Sequence, residues 1–493
     1  MEEKTQVASE PIGISRKHQN IVLTIVVLGT LMGALDTTIV LLAFPVINDS
    51  LHSNFITSIW IILAYLLVIA VTTTQMGRIG DIYGRSKIFN IGFAVFTIGS
   101  ALCGFSPHIL LLITFRAVQA AGGAIMQANS GAIIADIFPR ENRGRAYGYT
   151  ALGYTSGAML GIVLGGIITT YISWQYIFFI NIPIGVIAVI AGLKYVKDTA
   201  KNPAKLDLLG IALLAISLIC LSLGLIDFTT GGFSVISLAL IAVGVALLPV
   251  FISYDRRLKN PMIDFEAFKN RVLRNAVLSV FFLSIGYFSV VFLLIMYLQG
   301  IRALSPLDAS LLLVPGYVAG SFLGPVMGRL SDKYGSREIA TLGILFLCVA
   351  IFIYLTLGAN SPFYIVLIGS AISGLGTSMF FPANNSAVMA NARAGSFGSI
   401  SGLLRTLQNI GILGSFVLAI SVAAASIPRQ AAFEVFIGTV NLSGGVSHAF
   451  ITGIDSAFYV SLAILVVAGI LSFIRGRESR QKNASQAPEK QES

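Results

Sequence analysis

A carboxylate at Asp36 and a guanidinium at Arg116 each interrupt an apolar run of about 20 residues or more, the length that crosses a bilayer. Charges in hydrocarbon are costly unless paired, so each marks a proton, ion or substrate function. By the placement of the apolar runs, Asp36 is the one of 22 acidic residues expected well inside a span. It falls about seven residues from the outer end of span one, and Arg116 about seven from the outer end of span four. At 1.5 Å per residue both sit roughly 10 Å below the outer surface. They can meet at that level if their helices are neighbours. Asp36 is then the expected proton-titrating group and Arg116 its modulator, because a nearby guanidinium favours a charged carboxyl whereas burial favours a neutral one. A static structural ion pair is the competing reading.

A second set of charges lies in a duplicated phrase. Gly77-Arg78-Ile79-Gly80-Asp81-Ile82-Tyr83-Gly84-Arg85 returns as Gly328-Arg329-Leu330-Ser331-Asp332-Lys333-Tyr334-Gly335-Ser336-Arg337. Asp81, Arg85, Asp332 and Arg337 are expected to form gates whose contacts make and break between conformations, with Asp136, Arg143 and Arg145 in the same network. Gly77 and Gly84 would permit close helix approach and a tight turn. The plainer alternative is a solvated loop that only sets topology.

Within the spans, Tyr65, Gln119, Asn129, Tyr154, Tyr287, Asn384, Arg405 and Gln408 are candidates to line a substrate cavity, although any one uncharged residue among them could equally serve as helix-packing glue. Arg405, about eight residues from the inner end of span thirteen, could contact substrate, a carbonyl or a lipid phosphate. Gly157, Gly161 and Gly165 recur every four residues on span five, a face for backbone-to-backbone packing. His18, His52, His108 and His448 fall at ends or loops without metal spacing. Cys103, Cys220 and Cys348 show no CxxC pattern, so neither a metal site nor a disulfide framework is expected. There is no GxxxxGK[ST] phrase and no clustered nucleophile and base. The chain is therefore read as no enzyme, with no cofactor and no ATP-binding subunit.

These residues need a scaffold, and composition supplies it. Hydrophobic residues make up 56% of the 493 and charged ones only 11%, against roughly 25% in ordinary soluble domains. About fourteen spans follow, at roughly 20–43, 57–77, 87–105, 109–134, 145–170, 174–196, 207–226, 232–254, 275–298, 307–328, 338–358, 362–386, 397–425 and 449–474. With the N-terminus inside, about 28 of the 32 Lys and Arg fall in inner loops and tails, which places both termini in the cytoplasm. The net charge of +10 thus reflects topology rather than nucleic-acid binding. Trp60 and Trp174 are expected at the outer headgroup level.

The repeat offset of about 251 residues exceeds a six-span half by some 70 residues, which spans seven and eight fill. The expected organisation is a tail at 1–19, a six-helix bundle at 20–200, two inserted helices at 201–256, an inner linker with a short surface helix followed by a second six-helix bundle at 257–474, and a disordered tail at 475–493.

The duplicated phrases resemble the inner loop of the major facilitator superfamily. Leu35-Asp36-Thr37-Thr38-Ile39-Val40 with Ala43 and Pro45, Arg116-Ala117-Val118-Gln119-Ala120-Ala121-Gly122-Gly123-Ala124, and Trp174-Gln175-Tyr176-Ile177-Phe178-Phe179-Ile180-Asn181-Ile182-Pro183-Ile184-Gly185 are similar to its fourteen-spanner drug:proton antiporter branch. That resemblance implies an all-α integral membrane fold, two six-helix bundles plus two extra spans. It also implies a monomeric, multi-pass plasma-membrane transporter, coupled to H+, exporting hydrophobic or amphipathic compounds by alternating access. Ile162 stands where the branch's span-five pattern has proline, which leaves transport of a specific metabolite open. A receptor or scaffold without transport is a further alternative, which the retained Asp36, Arg116 and inner loops disfavour.

Overall fold

The computed structural model describes residues 15–138, 140–196, 207–231, 234–258, 261, 269–391, 397–425 and 445–476. Fourteen helices in these segments are long and apolar enough to cross a membrane. The first half contains α1 (Arg16–Ser50), the single turn α2 (Phe55–Ser58), α3 (Trp60–Tyr83), α4 (Arg85–Gly104), α5 (Ile109–Ile137), α6 (Arg140–Tyr171), and α7 (Tyr176–Phe179) running into α8 (Asn181–Tyr195). Two helices follow, α9 (Leu208–Gly231) and α10 (Val235–Asp255). The second half contains α11 (Arg271–Met296), extended by the π turn Tyr297–Ile301, then α12 (Pro306–Tyr334), α13 (Ser336–Tyr354), α14 (Tyr364–Ala390), α15 (Phe397–Ala425) and α16 (Gly445–Ile474). The expected surface helix before span nine and the expected disordered C-terminal tail fall mainly on residues outside the described ones.

Helix ends follow local chemistry. His108, Ser234, Asn270 and Ser305 each accept hydrogen bonds from backbone N–H groups of the first turn behind them, which would otherwise lack partners. The duplicated phrase gives the same break twice. Gly84 ends α3 and Gly335 ends α12, both at φ 108°, a backbone region that L side chains rarely adopt. Gly77 is not a point of close approach, since a Cβ there would meet only Ala128 Cβ, at 3.8 Å. The tight contact is at Gly80, where a side chain would collide with Asn129.

Glycines also set the closest helix pair. A Cβ at Gly157 would lie 2.9 Å from Leu31 Cα, one at Gly161 3.1 Å from Leu35 Cα, and one at Gly165 3.1 Å from Ile39 Cγ1, so α6 rides on the backbone of α1. Thr38 Oγ1 reinforces the seam by donating to Ala158 O at 3.1 Å. Gly166, on another face of α6, meets Leu307 and Ser310 of α12, joining the halves. A second junction runs between α3 and α15, where the Thr74 and Thr406 hydroxyls lie 2.6 Å apart.

The inserted helices α9 and α10 pack on each other, with Ser217 Oγ donating to Gly244 O at 2.7 Å. A polar knot ties them to α3. Gln75 Oε1 accepts from Asp207 N at 3.2 Å and from Arg78 Nη1 at 3.4 Å, Tyr254 donates to Asp207 Oδ1 at 3.0 Å, and Arg78 donates to Pro261 O at 2.9 Å.

Trp174, in the turn after α6, is buried, donates to Ser50 Oγ at the end of α1 at 2.9 Å and stacks edge-on against Phe178. The glycine seam gives a direct test. Gly161→Leu should lower the thermal unfolding midpoint of the purified protein clearly, by an overpacking cost of about 1–3 kcal/mol or more, whereas Gly148→Leu, facing open space, should leave it nearly unchanged.

Candidate functional site

Asp36 and Arg116 meet. Arg116 Nη1 lies 2.6 Å from Asp36 Oδ2, and both side chains are buried. A bare ion pair would leave lone pairs and N–H groups without partners in a low-dielectric interior, a large penalty. Here further groups of the pair are met by Gln119 of α5, by α8 and by α3. Asp36 Oδ1 accepts from Gln119 Nε2 at 2.8 Å and from Asn181 Nδ2 at 3.3 Å. Arg116 donates also to Gln119 Oε1 at 2.7 Å and to Ile61 O at 3.3 Å, and its guanidinium lies 4.1 Å from the centre of the Tyr65 ring. Ser100 Oγ takes hydrogen bonds from Gln119 at 3.0 Å and Asn181 at 3.1 Å, and passes its own to Phe178 O at 2.9 Å.

Local sequence explains the convergence. Arg116 and Gln119, three residues apart, share one face of α5. Asn181 opens α8 just after the short turn α7, so its amide reaches into the bundle. Gly99 lets α4 approach α5 closely enough for Ser100 to join, since a Cβ there would meet the Gln119 backbone at 2.7 Å. Gln119 and Tyr65, expected to line a substrate cavity, are instead parts of this sealed network, and each is under 3% exposed. Ser100 and Asn181 were missed by sequence reasoning. The available signal was a lone amide or hydroxyl inside an otherwise apolar run.

Two other acidic groups lie deeper than expected. Asp455 sits on α16, within the stretch able to cross the membrane, half-buried beside Tyr297 and Tyr354, so Asp36 is not alone among acids within spans. Asp255 is fully buried at the end of α10.

In the first half, three of the charges expected at a gate meet. Arg85 donates to Asp81 Oδ1 at 2.8 Å and to Asp136 Oδ1 at 2.7 Å. In the second half Arg337 instead pairs with Glu338 Oε1 at 2.8 Å and lies over the Phe473 ring at 5.5 Å. The repeat offset maps Arg85 onto Ser336. Arg337 is therefore one position further along, about 100° around the helix. The side chains of Asp332 and Arg143 lie outside the described residues.

The cavity candidates separate by burial. Asn129 turns to the backbone, donating to Met76 O at 3.2 Å and Ile125 O at 2.9 Å. Asn384 donates to Ala276 O at 3.2 Å and accepts from Arg475 at 3.2 Å. Both are packing groups. Tyr154 on α6, Tyr287 on α11 and Arg405 on α15 are half-buried within the spans. Gln408 accepts from Arg405 at 3.3 Å.

The ion pair yields a test. Arg116→Gln strands a buried carboxylate and should cost about 3–5 kcal/mol of stability. Adding Asp36→Asn removes that stranded charge and should restore much of the loss, so thermal melts of both single variants and the double variant should show strong coupling.

Comparison with known proteins is consistent across sequence and fold. The family model described as Major Facilitator Superfamily matches residues 26–416. The riboflavin transporter RibZ of Clostridioides difficile (strain 630) is 30% identical over 460 residues, covering 92% of this chain and 97% of that protein. The tetracenomycin C resistance and export protein of Streptomyces glaucescens is 28% identical, covering 99% and 97%. Among solved structures, a bacterial homologue of the human lysosomal transporter Spinster, in an inward-facing and unoccupied conformation, superposes with a TM-score of 0.65 at 16% identity, covering 94% and 98%.

Proposed function

The chain belongs to the Major Facilitator Superfamily, and on that premise we propose that this multi-pass membrane transporter is a proton-coupled exporter of hydrophobic or amphipathic compounds working by alternating access. The observation that carries the proposal is the buried Asp36–Arg116–Gln119–Asn181 network. Three polar side chains from two other helices hydrogen-bond one carboxylate, a costly arrangement if packing were its only role. The name of the tetracenomycin C relative supports export.

Geometry suggests how the carboxylate acts on the halves. Proton arrival at Asp36 would release the charge-assisted bond to Arg116, which retains Gln119, the Ile61 carbonyl and the Tyr65 ring as partners. Asp36 lies next to Leu35, whose backbone α6 packs against at Gly161, and five residues on Gly166 abuts α12 of the other half. A shift of α1 relative to α5 thus reaches the interface through two rigid helices. The Asp81–Arg85–Asp136 cluster would hold the inner ends of α3, α4 and α5 together as that shift occurs. The working unit is a monomer in the plasma membrane with both termini cytoplasmic, and it needs no bound cofactor.

A second reading, transport of one specific metabolite, is favoured by the riboflavin-transporter relative and by Ile162 in the span-five pattern. Liposomes containing the purified protein, with an imposed pH gradient and a panel of amphipathic dyes and riboflavin, separate the two by the breadth of compounds moved. In either case Asp36→Asn should fold, by its gel-filtration profile, and lose movement driven by the pH gradient. Unchanged pH-driven movement in that variant removes Asp36 from the coupling mechanism.

A further inference from the structure

The two intramembrane arginines on α5 and α15 have opposite surroundings. Arg116 is sealed and meets a carboxylate, an amide, a carbonyl and an aromatic face. Arg405 has five N–H donors and, among the described residues, one hydrogen bond, the 3.3 Å contact to Gln408 three residues away on the same helix. None of the ion pairs among the described residues includes it. The ionisable group in electrostatic contact with it is Tyr154, from α6 of the other half. Arg405 nevertheless lies about eight residues into α15, roughly 12 Å from its start.

A guanidinium at that depth without a carboxylate is held at a cost unless another anion compensates it. Its setting shows where that anion would come from. Arg405 is half-buried, with Tyr154 of the other half beside it. Tyr154 is also coupled electrostatically to Tyr317 of α12, and Tyr317 to Tyr287 of α11. Arg405 and Tyr154 thus face one another across the two halves, and Tyr317 and Tyr287 stand next in line from α12 and α11, so a cation at membrane depth is flanked by aromatic residues rather than by a carboxylate.

We propose that the transported compounds are amphipathic anions, an aromatic or hydrophobic body carrying an acidic group that docks on Arg405 among Tyr154, Tyr287 and Tyr317. This names the substrate class for the transport reading above and rests on it. The planar fork of the guanidinium suits a carboxylate or sulfonate, which accept two parallel N–H bonds. An organic cation would meet like charge at the same position and bind poorly.

The test uses purified full-length protein in phosphatidylcholine nanodiscs, with 1-pyrenebutyrate and 1-pyrenebutylammonium as probes that share a body and differ in charge. Binding is measured by equilibrium dialysis against empty discs. Pyrenebutyrate should bind saturably, and Arg405→Gln should weaken it by about tenfold or more, while Arg405→Lys, which keeps the charge, should lose less. The ammonium probe should bind no better than to empty discs. Equal pyrenebutyrate binding by wild type and Arg405→Gln, no saturable binding, or equal affinity for both probes overturns the proposal. Loss of wild-type binding when anionic phosphatidylglycerol is added to the discs would assign the site to a lipid headgroup and overturn it too. Arg405-dependent binding of pyrenebutyrate without any pH-driven movement in liposomes would refute the proton-coupled reading while leaving the anion site standing.

Discussion

The hydrogen-bonded ion pair between Asp36 and Arg116 constrains the whole first half. An ionised carboxylate and a guanidinium, both withdrawn from water, can coexist only if every remaining lone pair and N–H finds a partner at good geometry. That requirement brings α1, α4, α5 and α8 to one point and fixes the start of α3 through the Ile61 carbonyl. Gly99 of α4 follows from it, since a side chain there would hold α4 too far from α5 for Ser100 to reach Gln119.

The two halves share a scaffold and differ in chemistry. The inner turn repeats down to the φ of Gly84 and Gly335. Yet the repeat offset of about 251 carries Asp36 onto Tyr287, Arg116 onto Leu367, Tyr65 onto Gly316 and Gln119 onto Ser370. Where the first half inserts a charged network, the second closes α12 on α14, with Ser370 Oγ accepting from Gly316 N at 3.0 Å and donating to Leu313 O at 2.8 Å. Its charge stands instead at Arg405, toward the interface. Duplication kept the packing but not the polar side chains, and the proposed function assigns proton handling to the first half and substrate contact to the second.

The parts readable from sequence were those governed by strong, local rules. Span number follows from hydropathy because lipid leaves the backbone few choices. Asp36 and Arg116 stood out because a charge in an apolar run is rare, and equal depth made their meeting plausible before any coordinates. Asn181 and Ser100 were hidden because an amide or hydroxyl in a helix serves equally as packing glue, and only three-dimensional convergence distinguishes the two uses. The duplicated phrase invites a one-to-one transfer, but Arg337 stands one position beyond the counterpart of Arg85 and takes Glu338 as a partner. Asp455 escaped because it lies near the end of its span.

The central claim is that Asp36 takes up and loses a proton while the protein remains folded. Infrared difference spectroscopy on protein carrying isotope-labelled aspartate, recorded as the bath is acidified, tests it most directly. The account predicts an isotope-shifted band of a protonated carboxyl group that is absent from a variant lacking the Asp36 carboxyl. A spectrum in which Asp36 stays ionised until the protein unfolds would contradict it.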